Sequence, residues 1–149
     1  MRALIDTCVV MDAIQNRAPF AEDAQAVFLT VANQMAAGCI TAKEMTDIFY
    51  LTHRCTHDQG VTRTIMGRIG MLFDILDTTE DDVRQALMSN MTDYEDAVMV
   101  ETAKRAKMDC IVTRNFADYK QAGMPVYSPR EFLAKVKETP EKACLCRLE

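Results

Sequence analysis

Asp93-Tyr94-Glu95-Asp96-Ala97, then a helical run, then Cys110-Ile111-Val112-Thr113-Arg114-Asn115-Phe116-Ala117-Asp118 places acids at both ends of one helix–strand unit. Ala97, Val100 and Ala103 follow Asp93 and Asp96 at helical spacing, so the two acids share roughly one face with an apolar stripe and should point toward the core. Cys110-Ile111-Val112 has no polar alternation, as expected of a short strand covered on both faces in a parallel sheet. Thr113 ends that strand. Ligands of open α/β sheets gather beyond the carboxyl ends of the strands, which puts Thr113, Asn115 and Asp118 where chemistry is expected.

The chain on either side repeats the unit. Ala3-Leu4-Ile5 reads as a strand ending at Asp6, with a helix through Val9, Val10, Ala13 and Ile14. Pro19 suits a first helical turn, and Phe20, Ala24, Val27, Phe28, Val31 and Met35 keep the spacing of a long helix that Gly38 would terminate. Cys39-Ile40 reads as a second strand. Thr41 then opens a helix with Glu44 at the third position and Met45, Ile48, Phe49 and Thr52 inward. A turn at Asp58-Gln59-Gly60 leads to a helix weakened by Gly67 and Gly70, a third strand at Asp74-Ile75-Leu76-Asp77, and a helix begun by Thr79. Val126-Tyr127 is a last strand, and Ser128-Pro129-Arg130-Glu131 opens a last helix. Strands alternating with helices predict one three-layer α/β/α domain over residues 1–138, built on a mainly parallel sheet of four or five strands, with a flexible tail over 139–149.

A chain of 149 residues, 49% hydrophobic, has enough apolar material for one core. No apolar run approaches the ~20 residues of a membrane helix, and Met1-Arg2-Ala3-Leu4-Ile5-Asp6 meets charge too soon for a signal peptide, so a cytoplasmic, membrane-free protein is expected. Cys8, Cys39 and Cys110 lie in apolar contexts typical of reduced thiols, and Cys144 and Cys146 form a lone C-x-C read as incidental. Lysine and arginine number 17 against 22 acids, a formal charge of −5 that argues against an extended basic groove for duplex DNA. Nucleic acid is still compatible if several acids form one metal site, because bound cations invert the local potential.

Four acids fall where one sheet would bring them together: Asp6, Glu44, Asp96 and Asp118. Each has a plain structural reading. Glu44 completes a capping box with Thr41; Asp96 stands three residues after Asp93 at a helix start; Asp118 suits a turn. Asp6 follows a buried strand directly, with neither a cap nor a solvated face to account for it. Taken together, the plain readings leave unexplained why all four fall on the carboxyl side of the sheet. Clustered carboxylates raise one another's pKa unless a hard divalent cation neutralises them, and an all-oxygen set suits Mg²⁺ or Mn²⁺ and metal-activated water attacking a phosphodiester. Arg114 and Lys120 flank this site as weaker phosphate-contact candidates, with Arg54, Arg63 and Arg68 behind them. Asp12 reads as a solvated helix position, His53 and His57 as surface residues, and Lys104, Arg105 and Lys107 as partners of a helix dipole.

In this order and spacing, Leu4-Ile5-Asp6-Thr7, Glu44 after the second strand, Asp93-Tyr94-Glu95-Asp96-Ala97 and Thr113-Arg114-Asn115-Phe116-Ala117-Asp118-Tyr119 resemble the PIN-domain ribonucleases, the fold of VapC-type toxins, over nearly the whole chain to Phe132. The resemblance implies that Asp6, Glu44, Asp96 and Asp118 hold one or two Mg²⁺ or Mn²⁺ ions, supported by Asp93, Thr113 and Asn115. It also implies RNA as substrate, an antitoxin as inhibitor and a homodimer. Cys8 departs from the asparagine usual after Asp-Thr, which bears on a hydrogen bond near Asp6. The competing reading is a PIN-fold RNA- or protein-binding module whose catalysis is lost. A haloacid-dehalogenase-type phosphatase would want an acid where Cys8 stands, and a receiver domain would want a lysine where Arg114 follows Thr113.

Overall fold

The computed structural model describes residues 1–139. Five strands form one wholly parallel sheet in the order β3-β2-β1-β4-β5: β1 (Arg2–Ile5), β2 (Ala37–Thr41), β3 (Asp74–Leu76), β4 (Cys110–Val112) and β5 (Val126–Tyr127). Helices α1 (Thr7–Ile14) and α2 (Ala21–Ala32) cross from β1 to β2, and α3 (Ala42–Thr56) and α4 (Gln59–Leu72) from β2 to β3. Helices α5 (Glu80–Met88) and α6 (Tyr94–Arg105) return to β4, a 3₁₀ turn (Phe116–Tyr119) precedes β5, and α7 (Pro129–Glu138) ends the domain. The residues of the expected tail beyond Thr139, Cys144 and Cys146 among them, lie outside those described. Among the described residues no helix is long and apolar enough to cross a membrane.

Alternation along the short strands divides the core into two layers. Ala3, Ile5, Ile40, Cys110 and Val112 pack with Val27, Ile48 and Phe132 from α2, α3 and α7, whereas Leu4, Cys39 and Ile111 pack with Met99, Val100 and Ala103 from α6. Both faces of β1 are covered, which is why its residues from Ala3 to Ile5 are all apolar and fully buried. The crossovers on one side of β1 run over one face and the β3-to-β4 crossover over the other. The topological switch therefore falls between β1 and β4, where α/β sheets open a ligand crevice.

Gly38 lies inside β2 rather than at a helix end; α2 stops at Ala32. A Cβ on Gly38 would stand 2.7 Å from Val31 Cγ2 and 2.8 Å from Phe73 Cδ1, so the glycine is there to let α2 and the end of α4 close on the strand. Gly60, expected in a turn, lies in the first turn of α4, which Asp58 caps through Val61 N–H, and α4 runs unbroken through Gly67 and Gly70. Arg105 does more than face a helix dipole. Its guanidinium binds both oxygens of buried Asp82 at 2.8–3.1 Å and the Asp77 carbonyl at 2.6 Å, pinning α5 to α6.

Candidate active site

The carboxyl ends of β1, β2 and β4 deliver the chemistry-bearing residues. Asp6 continues the β1–β4 ladder, donating its N–H to the Val112 carbonyl at 2.9 Å, and its own carbonyl accepts the first bonds of α1. Its side chain does not cap that helix. Instead Oδ2 accepts hydrogen bonds from the Thr113 hydroxyl at 2.6 Å and the Cys8 thiol at 3.1 Å. Thr113 is fully buried, and its hydroxyl also takes the Asn115 N–H at 3.0 Å, so the residue after β4 fixes the residue after β1. Cys8 thus makes a hydrogen bond to Asp6 from the position where an asparagine is usual, and burial followed by repulsion from Asp6 pushes its thiol up to about 12.

Glu44 fulfils its plain reading and goes beyond it. The capping box is complete: Glu44 N–H donates to Thr41 Oγ1 at 3.1 Å and Thr41 N–H to Glu44 Oε2 at 2.8 Å, while Thr7 donates to Oε1 at 3.2 Å. Yet the side chain is buried, and burial outweighs the hydrogen bonds from Thr41 and Thr7; with the charge of Asp6 adding to it, the carboxyl is raised from 4.5 to about 8. Asp96, half-buried at the start of α6, is raised to about 6 by burial first and then by Asp6. The Tyr119 hydroxyl donates to Asp96 Oδ1 at 3.0 Å, and that phenol is held far above its ordinary value by burial and by Asp6 and Asp96. Asp6, Glu44 and Asp96 line one cleft of about 300 Å³, together with Lys43, Asp47 and Tyr50.

The remaining expected residues stand further out. Asp93 is exposed rather than turned to the core; it caps α6, accepting the Asp96 N–H at 3.1 Å. Asp118 is exposed on the 3₁₀ turn and does not line the cleft, although its charge contributes to the rise at Asp96. Asn115 and Lys120 are exposed. Arg114 is already engaged: its guanidinium binds Asp12 at 2.7 Å and lies 4.5 Å from the centre of the Phe20 ring. Asp12, expected to be solvated, is buried between Arg114 and Arg17. Helix α1 is apolar and buried from Val9 to Ala13 on every side of Asp12, and that was the available signal. Tyr119 sat in the quoted motif without a role, and Lys43 and Tyr50 carried no pattern that tied them to the cleft.

Whether these residues suit a divalent ion is a question of donors and charge. Among the described residues no three acidic, histidine or cysteine side chains are already drawn into a coordination cluster. The donor set nonetheless fits a hard cation: oxygen only, with Asp6, Glu44 and Asp96 among the five carboxylates that line one cleft, two of these three with raised pKa. One oxygen each of Asp6 and Asp96 accepts no hydrogen bond among the described residues. Lys43 is the one cation among the described residues lining the cleft, and it is held by Asp47 and Glu95 at 2.6 and 3.2 Å. The cleft is short of positive charge.

No protein of curated function matches the sequence. Among solved structures, the chain is similar to FitAcB from Neisseria gonorrhoeae (18% identity, TM-score 0.65, covering 86% of this chain and 98% of that one). It is also similar to a toxin–antitoxin complex from Klebsiella pneumoniae (20%, 0.61, 85% and 97%). A third likeness is to VapC20 of Mycobacterium tuberculosis, a sarcin–ricin-loop-cleaving toxin (12%, 0.61, 80% and 95%). At these identities the likeness is one of fold. Residues 2–117 match the PIN domain family, more than half of the chain, and with the parallel sheet and the acids at its carboxyl edge this places the protein in the PIN domain family.

Proposed function

We propose that the chain is a Mg²⁺- or Mn²⁺-dependent ribonuclease that hydrolyses phosphodiester bonds of single-stranded or structured RNA, as the toxin of a toxin–antitoxin pair. Asp6, Glu44, Asp96 and Asp118 are its proposed catalytic and metal-holding acids. The observation that carries the reading is that three of these carboxylates line one cleft beside the carboxyl ends of β1 and β2, two with pKa raised by burial and by Asp6, where an added divalent cation would offset their repulsion. When bound, a divalent ion supplies the charge that lets the acids ionise together and the Lewis acidity that activates water toward phosphorus.

The chain's own residues do the holding. Thr113 and Cys8 orient Asp6, Tyr119 orients Asp96, and Thr41 and Thr7 orient Glu44, so each acid enters the cleft with its rotamer restrained. Asp118 would join from the 3₁₀ turn, where its N–H donates to the Asn115 carbonyl at 3.2 Å, while Asp93 holds the start of α6 beneath Asp96. An antitoxin occupying the acidic cleft and a homodimeric assembly are part of this reading; a similar structure that is a toxin–antitoxin complex supports an antitoxin partner. The second reading is a PIN-fold RNA- or protein-binding module whose catalysis is lost.

One experiment separates the two. Purified protein is incubated with single-stranded RNA in Mg²⁺, Mn²⁺ or EDTA beside Asp6→Asn and Asp96→Asn. Cleavage that needs metal and disappears in both variants is the expected result. No cleavage of any RNA, by protein that calorimetry shows not to bind Mn²⁺, would refute the ribonuclease reading.

A further inference from the structure

Helix α3 contributes more to the cleft than Glu44. Lys43, Asp47, Tyr50 and Arg54 fall at i, i+4, i+7 and i+11, so they lie along one face of the helix, and the first three line the acidic cleft. Tyr50 is 63% exposed, a large ring left in solvent at the mouth of a cleft. The Arg54 guanidinium stands 5.9 Å from the centre of that ring. Lys43 bridges the cleft from α3 to Glu95 on α6 while also pairing with Asp47. The face therefore presents a cation, an aromatic plane and a second cation in sequence, spread over about 16 Å of helix at 1.5 Å per residue.

We propose that this face of α3 is the path by which a single RNA strand reaches the acids: one nucleobase stacks on Tyr50, Arg54 contacts a phosphate outside the cleft, and Lys43 leaves Asp47 and Glu95 to contact a phosphate inside it. The inference rests on the ribonuclease reading and adds which form of RNA is bound and through which residues. A net charge of −5 gives little general attraction for a polyanion, so stacking must supply much of the affinity. Stacking on an exposed side chain requires an unpaired base, which selects single strands or loops over continuous duplex. Asp47 and Glu95 hold Lys43 in the absence of substrate, and their exchange for a phosphate keeps the lysine paired throughout.

The test is fluorescence anisotropy with a labelled single-stranded RNA in Ca²⁺, its integrity checked on gels, against a blunt RNA duplex of the same length. Tyr50→Ala is expected to weaken single-strand binding about 5- to 150-fold, with Tyr50→Phe close to wild type. Arg54→Ala should flatten the salt dependence by about 0.7 in log–log slope. Asp47→Asn, which removes one of the two carboxylates that hold Lys43 and leaves Glu95, should tighten binding by up to about fivefold. Thermal melts of each variant check the fold. Equal single-strand affinity of Tyr50→Ala and wild type, no RNA binding by wild type, or no preference for the single strand would overturn the path. If wild type still cleaves RNA in Mg²⁺ or Mn²⁺ under any of those outcomes, the ribonuclease reading survives without it. Tyr50-dependent binding by protein that neither cleaves RNA nor binds Mn²⁺ would sink the ribonuclease reading and leave this face of α3 as a single-strand binding surface.

Discussion

Replacing Glu44 by glutamine should make the metal-free protein more stable while disabling the site. Glutamine at the third helical position still serves a capping box, so the bond to Thr41 N–H and the start of α3 survive and only the charge is lost. The wild-type carboxyl is raised from 4.5 to about 8, chiefly by burial. For an acid whose folded pKa lies above its unfolded value, the protonated form favours the folded state. That contribution is fully present below pH 4.5 and is lost as pH rises to about 8. At about 1.36 kcal/mol for each pH unit of displacement the ceiling is about 5 kcal/mol. An effective dielectric nearer 20 than 4 and titration shared with Asp6 bring the expected figure to about 2–4 kcal/mol. The assay is urea denaturation in EDTA at pH 5 and pH 9, beside a series with Mn²⁺. Glu44→Gln should match wild type within about 1 kcal/mol at the acid end and exceed it by about 2–4 kcal/mol at the alkaline end. Mn²⁺ at about 100 times its dissociation constant should return about 2.7 kcal/mol to wild type and little to the variant. Parallel pH profiles for the two proteins in EDTA would refute the reasoning, because they would mean that Glu44 ionises as it does in water.

Two further substitutions probe what supports the acids. Thr113→Val keeps the shape but removes the donor to Asp6 and the acceptor of the Asn115 N–H; it should cost about 1.5–3 kcal/mol in urea denaturation and weaken Mn²⁺ binding about 10- to 100-fold by calorimetry. Asp12→Ala strands the Arg114 guanidinium and should cost about 2–4 kcal/mol, most of it recovered when Arg114 is also made Met; a double-mutant cycle checks this, and additive losses would count against it.

The sheet and its crossovers were legible because their signals are local. Uninterrupted apolar runs such as Ala3-Leu4-Ile5 and Cys110-Ile111-Val112 admit little besides a doubly covered strand, and Thr41 with Glu44 or Ser128 with Glu131 marks a helix start within four residues. What escaped depended on distance along the chain. Gly38 looks like a helix stop until Phe73, 35 residues later, is seen to need its space. Asp12 looks like a polar helix position until Arg114 arrives from the end of the neighbouring strand β4, 102 residues later. Arg105 looks like dipole compensation until Asp82 is found beneath it. Each of these residues is decided by a partner that no window of sequence contains, and two of the three belong to ion pairs whose acid is buried.

The acids themselves show why a plain reading and a chemical one need not compete. Glu44 completes a capping box, and Asp96 takes its place from the N-cap of Asp93; in both cases a short-range motif sets the backbone position of the acid. Only packing decides the rest. At Thr79 and Asp82 the same capping geometry puts a buried acid beside Arg105, whose charge helps hold the Asp82 carboxyl below its usual range, and the result is a strut between two helices. At Thr41 and Glu44 the buried acid meets Asp6 in place of an arginine, and the carboxyl moves the other way. One local device thus yields either a structural ion pair or a site that wants a cation, and the neighbour it is packed against determines which.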